Sequence, residues 1–360
     1  MASREEKYLG LQVLRAVAAL AVVAGHSTDY LLVQTGRVPR QLSWVHGPAG
    51  VDIFFVISGF VMMITSRPLL ERANPARLFL WRRFLRIIPL YWLLTLVRLA
   101  LVHWRPGLSQ HGVPSLWNSV SSFLFIPSTA PGGEIRPIIP VGWTLSFEML
   151  FYYVFAVGLA WRGKLLRIVT AAILVVAMLG VLRTAMWPVW TALADPIVLE
   201  FLGGVWIGEL FLRGRRLSPR IGAVVLCLGV AGFLTMVPGP NVLSRPLTWG
   251  VFALLAVSGM LAIEHSIAPR LPQWALLLGD ASYSIYLVQM FVFPPLHFAL
   301  AHWSPTLVLL HPLAVGVWMM GISLVLSSLL GVAVHLAVER PVTYRLRRLF
   351  DVSRPLAVTP

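Results

Sequence analysis

Ten stretches of the chain are apolar over close to the roughly 20 residues that a helix needs to cross a bilayer. They run near residues 10–32, 48–66, 86–103, 142–161, 165–186, 195–212, 219–238, 246–264, 274–300 and 308–338. No other feature constrains the fold as strongly. Inside lipid every backbone polar group needs a partner within the protein, and an α-helix supplies it within one segment. The pattern predicts an all-α integral membrane protein, a bundle of about ten transmembrane helices with both termini cytoplasmic. The last two stretches are long enough to tilt, to protrude, or to kink at Pro294–Pro295. Residues 115–127 are apolar but short and end at Pro127, which suits an interfacial or re-entrant piece.

Composition excludes the soluble alternative. The 360 residues are 58% hydrophobic and 12% charged, with a mean hydropathy of +0.80. Soluble domains carry about 25% charged residues. The division expected is a cytoplasmic N-terminus over 1–9, a membrane domain over 10–340 and a basic cytoplasmic tail over 341–360.

Charge sets the expected orientation. Lys and Arg collect in cytoplasmic loops, and most of the 29 basic residues fall on one side if the N-terminus is inside. That side holds the runs Arg82–Arg83–Arg86, Arg213–Arg215–Arg216 and Arg345–Arg347–Arg348. The other side holds only Arg37, Arg40, Arg105, Arg136, Arg183 and Arg245, while Arg15 and Arg98 lie within apolar stretches. The formal net charge of +15 is therefore a topology signal. A nucleic-acid partner would call for a soluble basic face with aromatics, which the chain does not offer. The single cysteine, Cys227, sits in an apolar run and gives neither a disulfide framework nor a thiolate metal site. The first stretch carries Arg15 and His26 and no Ala-x-Ala exit, unlike a cleavable signal peptide.

Ionisable groups at membrane depth are costly and are usually functional. In LQVLRAVAALAVVAGH, Arg15 and His26 are eleven positions apart. A helix turns by about 100° per residue, so the two project from one face, about 16 Å apart along it. Arg15 falls in the cytoplasmic third and His26 in the outer third; snorkelling of Arg15 and a capping hydrogen bond from His26 are the structural alternatives. In GVDIFFVISGF, Asp52 enters at a depth similar to that of His26, as a functional carboxylate or as a helix-start residue favoured by the dipole. In VGWTLSFEMLFYY, Glu148 lies about 9 Å into its helix and needs a polar partner. The surrounding Trp143, Phe147, Phe151, Tyr152 and Tyr153 suit an interfacial belt. Before the third stretch, in PARLFLWRRFLR, Arg83 and Arg86 share one face at the cytoplasmic boundary. Two such guanidinium forks suit a phosphate or pyrophosphate, unless they only mark topology. Glu200, Glu209 and Asp280 are expected to pair internally, and His297, His302 and His311 to be interfacial. No metal-binding histidine spacing, nucleophile elbow or phosphate-cradling glycine loop is present.

These blocks, taken in order, resemble the membrane acyltransferase family usually called acyltransferase 3. Arg15 and His26 fit its Arg-ten residues-His signature, and GVDIFFVISGF its second-helix block. Arg83 with Arg86 fits its Arg-x-x-Arg pair, VGWTLSFEMLFYY its Trp-Ser/Thr-Leu-x-x-Glu block, and GDASYSIYLVQ its late Ser-Tyr-x-x-Tyr-Leu block. The second and fourth blocks are especially similar to the exopolysaccharide O-acetyltransferase branch. Gln289 stands where relatives often place His, which puts the role of that position in doubt, and Thr144 replaces Ser while keeping the hydroxyl.

The resemblance implies a multi-pass enzyme of the bacterial inner (plasma) membrane. It implies an acyl-CoA donor, commonly acetyl-CoA, no metal, and a glycan or lipid-linked sugar as acceptor, with polysaccharide synthesis machinery nearby. On it rests the expectation that His26, Glu148 and Asp52 meet as the catalytic group. Arg83 and Arg86 are expected to hold the coenzyme phosphates and Arg15 to guide the acyl arm. A transporter or flippase of lipid-linked sugars is the alternative reading; the absence of an internal repeat counts against it.

Overall fold

The computed structural model describes residues 8–35, 42, 47–105, 112–303 and 311–350, and not the side chains of 30–35, 297 and 300–303. The expectations for Arg37, Arg40, His297 and His302 fall outside this set. Among the described residues the chain is helical, without a strand; an isolated bridge joins Thr129 and Ile135.

The helices are α1 (Leu9–Thr35), α2 (Ala49–Ser66), α3 (Pro75–Trp104), α4 (Leu116–Phe123), α5 (Trp143–Ala160), α6 (Leu165–Leu182) and α7 (Val198–Leu212). They continue with α8 (Pro219–Thr235), α9 (Val251–Ile267), α10 (Gln273–Asp280), α11 (Ser282–Trp303), α12 (Pro312–Val334) and α13 (Arg340–Leu349). Among the described residues seven spans are long and apolar enough to cross a bilayer, and α10 with α11, bent by 71°, makes an eighth if the pair is one span. The ten expected spans are therefore not all matched. The two short ones are α7, with 15 residues, and α8, with 17. Their apolar windows overran the helices: Asp195–Ile197 form a turn in which Asp195 accepts from the Ile197 amide, and the chain is extended after Thr235.

Two further boundaries differ from expectation. The bend in the 274–300 stretch lies at Asp280–Ser282, and α11 runs on through Pro294 and Pro295. Helix α3 starts at Pro75, where a missing N–H costs nothing, so PARLFLWRRFLR is helix and not a preceding loop. Arg83 consequently sits about 12 Å along α3, not at its mouth.

The chain divides into two compact units. The first, residues 1–64, 177–182 and 195–332, is built on a core from three helices. Leu11, Leu14 and Ala18 of α1, Val56, Ile57 and Phe60 of α2, and Val257 and Met260 of α9 pack together. Small residues set the approach of the helices, as they do where lipid removes the hydrophobic drive between spans. Gly50 lies on the Ala18 carbonyl, Gly59 on that of Phe201 and Gly204 on that of Val56, so α2 fits α1 on one side and α7 on the other. Helix α8 meets α9 through Gly222 and Gly259.

The second unit, residues 65–176, 183–194 and 333–360, centres on α3 and α5. Phe79 stacks on Phe155 and meets Tyr152 edge to face. The 112–142 segment is closed by a polar network in which Asn118 donates to Ser128 and to the Arg136 carbonyl, and Ser121 to Ser128. Both units carry exposed apolar side chains, such as Leu174 and Val175 on α6 and Val325 and Leu329 on α12, which suits contact with acyl chains.

Candidate active site

Helix α1 brings Arg15 and His26 into the first unit, both half-buried. The partner of His26 comes from far away in sequence: its Nδ1 lies 3.0 Å from Oε1 of Gln289, on α11. Gln289 is fully buried, and its Nε2 donates to the Tyr286 carbonyl at 2.8 Å. A backbone carbonyl only accepts, so the amide NH2 must face Tyr286 and the amide oxygen must face the ring. Nδ1 is therefore the protonated nitrogen, and the lone pair of neutral His26 resides on Nε2. Phe293, one turn beyond Gln289, meets the imidazole edge to face with centroids 6.2 Å apart. Asp29, three residues after His26, is close enough to interact with it electrostatically.

Asp52 lies in the first turn of α2 with no exposure. Arg245 grips it as a fork, Nε to Oδ1 at 3.1 Å and Nη2 to Oδ2 at 2.9 Å, and donates also to the Pro48 carbonyl at 3.1 Å. Glu200 of α7, itself 1% exposed, interacts with both Asp52 and Arg245. A second buried carboxyl group thus lies within electrostatic reach of the Asp52–Arg245 pair. Burial opposes the Arg245 charge, but the Asp52 carboxylate outweighs it and holds the guanidinium above its ordinary pKa.

The remaining expected residues are in the second unit. The Tyr152 hydroxyl donates to Glu148 Oε1 at 2.8 Å, one turn along α5. Arg83 donates to Thr65 Oγ1 at 2.7 Å and lies over the Phe79 ring. Arg83 and Arg86 interact electrostatically with Tyr152, and Arg83 also with Glu148. The arginine pair, the tyrosine hydroxyl and the carboxylate therefore form one polar group. The belt expected from the α5 aromatics is confined to its flank: Phe147, Phe151 and Tyr152 are core, whereas Tyr153 is 56% exposed.

Of the expected residues, Arg83, Arg86 and Glu148 are brought together, and Arg15 shares α1 with His26. Arg15 makes a long 3.5 Å contact to Gln12. The imidazole nitrogen that a carboxylate was expected to orient is bonded instead to the Gln289 amide, while Arg245 holds Asp52. Glu209 pairs as expected, with Arg213 at 2.7 Å, whereas Asp280 is exposed; His311, for which an interfacial place was expected, is exposed too. Gln289, Tyr152, Arg245 and Asp29 were missed as members of these groups. Two of them had local signals: Tyr152 stands at i+4 from Glu148 and Asp29 at i+3 from His26, on the same helix faces. Among the described residues no group of three His, Cys, Asp or Glu could hold a metal.

The chemistry available follows from these pairings. A neutral imidazole with its proton fixed on Nδ1 is arranged to accept a proton, or an acyl group, at Nε2. Two guanidinium groups on one helix side can hold phosphate oxygens.

Comparison with known proteins bears on that chemistry. The chain is 36% identical over 307 residues to the exopolysaccharide production protein ExoZ of Rhizobium meliloti, covering 83% of this chain and 90% of the relative. It is 26% identical to the acyltransferase MdmB of Streptomyces mycarofaciens, over all of this chain and 97% of that one. No solved structure matches. The acyltransferase domain family matches residues 8–332, the stretch that carries every residue described above, and the chain is a membrane O-acyltransferase belonging to that acyltransferase 3 family.

Proposed function

We propose that the protein moves an acyl group, acetyl in the first instance, from acyl-CoA to a hydroxyl of an exported polysaccharide at the bacterial inner membrane. The observation that carries this reading is the His26–Gln289–Tyr286 relay, which leaves Nε2 as the basic nitrogen. The name of the exopolysaccharide production relative supports a glycan acceptor.

In this reading Nε2 of His26 takes the proton of the acceptor hydroxyl while that oxygen attacks the thioester carbonyl. The C–O bond forms, the C–S bond breaks, and the imidazolium returns its proton to the departing thiolate. A variant of the same chemistry lets Nε2 attack first: the C–N bond forms as C–S breaks and the thiolate leaves, then the acceptor oxygen forms C–O as C–N breaks, and its proton passes to the thiolate. Arg83 and Arg86 hold the coenzyme phosphates, and Arg15 guides the acyl arm. Glu148, fixed by Tyr152, supplies the carboxylate of the site. Asp52 is a positioning residue: with both oxygens on Arg245, it ties the start of α2 to the segment that leads into α9.

Deleting the gene and measuring ester content of surface and secreted glycans by NMR tests this. The expected result is loss of acyl esters with polymer export intact, together with acetyl-CoA turnover in membranes that contain the protein. Loss of export without loss of esterification, and no coenzyme turnover, contradicts it and favours a flippase of lipid-linked sugars.

A further inference from the structure

A cavity lies in the first unit, and neither His26 nor Asp52 lines it. Its volume is about 580 Å³, and it opens where α7 ends and the turn to α8 begins. Its floor is Phe211 and Leu261; Phe211 is fixed from behind by edge-to-face contacts with Tyr8 and Phe60. Its polar lining residues are Arg215, Arg216 and Ser258, and among the described residues no acidic one lines it. The nearby Glu209 is already committed to Arg213 at 2.7 Å. Two positive charges therefore line a cavity in which the described residues offer no counter-charge. Arg216 is held over the Phe211 ring at 4.1 Å, which fixes one guanidinium at the rim.

The walls decide what kind of anion fits. Leu210 and Leu217 line the cavity and are 41% and 42% exposed, and Ile221 and Val224 in the first turns of α8 are exposed as well. A free nucleotide or inorganic phosphate gains nothing from such a surface. An amphiphile with an anionic head and aliphatic tails gains on both counts. The volume lies within the range of about 300–1,000 Å³ usual for small-molecule sites, enough for a glycerophosphate head and its first methylenes. The cavity also sits among the basic residues that mark the side where anionic lipid is attracted, and basic pockets between spans there bind lipid headgroups.

We infer that this cavity is a binding site for an anionic phospholipid, with Arg215 and Arg216 on its phosphate and Leu210 and Leu217 along its acyl chains. The inference is independent of the acyl-transfer chemistry. It concerns neither Arg83 nor Arg86.

The test uses the full-length protein in neutral detergent, with phosphatidylglycerol or phosphatidylcholine added and binding read by native mass spectrometry. Phosphatidylglycerol should bind in preference to phosphatidylcholine. The Arg215→Gln/Arg216→Gln double variant should lose roughly 25-fold in phosphatidylglycerol affinity, about fivefold for each arginine near a membrane surface. The charge-matched Arg340→Gln/Arg345→Gln variant, on exposed residues of α13, should keep it. Melting temperature in phosphatidylcholine reports whether either variant is folded. Unchanged phosphatidylglycerol binding in the first variant, equal loss in both, or displacement of the lipid by glycerol phosphate or coenzyme A overturns the inference.

Discussion

His26 receives its orientation from a neutral amide, and that choice has chemical consequences. A carboxylate on Nδ1 would stabilise the imidazolium; Gln289 fixes the tautomer while adding little charge stabilisation. Gln289→Ala should lower kcat by roughly 10-fold or more, the lower end of the losses seen when the partner that orients a histidine is changed, with donor KM nearly unchanged. Gln289→Glu should restore orientation but raise the ring pKa. A base works only when deprotonated, so the acid limb of the pH–rate profile should move to higher pH. A profile coincident with wild type would show that the amide does not govern the ring.

The Arg245–Asp52 fork makes a prediction of a different kind. Arg245→Ala leaves a fully buried Asp52 facing Glu200 with no cation between them. Breaking such a buried pair costs about 3–5 kcal/mol, so folded protein in membranes should fall sharply on a thermal-stability assay. Asp52→Asn/Arg245→Gln, which removes both charges, should recover much of it. Equal damage in the double variant would mean that the pair matters for more than charge balance.

At the scale of elements, the helix seams rest on missing side chains. Gly59 and Gly204 let α2 and α7 approach to backbone contact, and added bulk in a packed interior costs about 1–3 kcal/mol. Gly59→Val should lower the melting temperature, whereas Gly163→Val, where a side chain would meet nothing, should not. The spans themselves were legible because lipid imposes length and hydropathy together. Their ends were less so. A hydropathy window does not register that Asp195 turns the chain or that Pro75 starts a helix ahead of the apolar residues. The polar pairings were the least legible part. His26 and Gln289 are 263 positions apart, and Asp52 and Arg245 are 193 apart. Periodicity along one helix carries no information about the partner on another. The residue types were visible, as was the odd amide at 289, but what each would touch was not.

At the scale of the molecule, the distribution of Lys and Arg predicts which ends face the cytoplasm. Cysteines placed singly at Arg216 and at Asn241, with the exposed Cys227 replaced by Ser, should label from opposite sides of sealed vesicles, position 216 from the cytoplasmic side. Labelling of both from one side would reverse or break that topology. His26 lies in the first unit, and Arg83, Arg86 and Glu148 lie in the second.

The most direct measurement is acetyl transfer from acetyl-CoA in membranes carrying His26→Ala at wild-type abundance. Loss of about 10²- to 10⁴-fold, the range that a positioned general base contributes, is the predicted result, with donor binding retained. Transfer at the wild-type rate would remove His26 from the reaction and contradict the account.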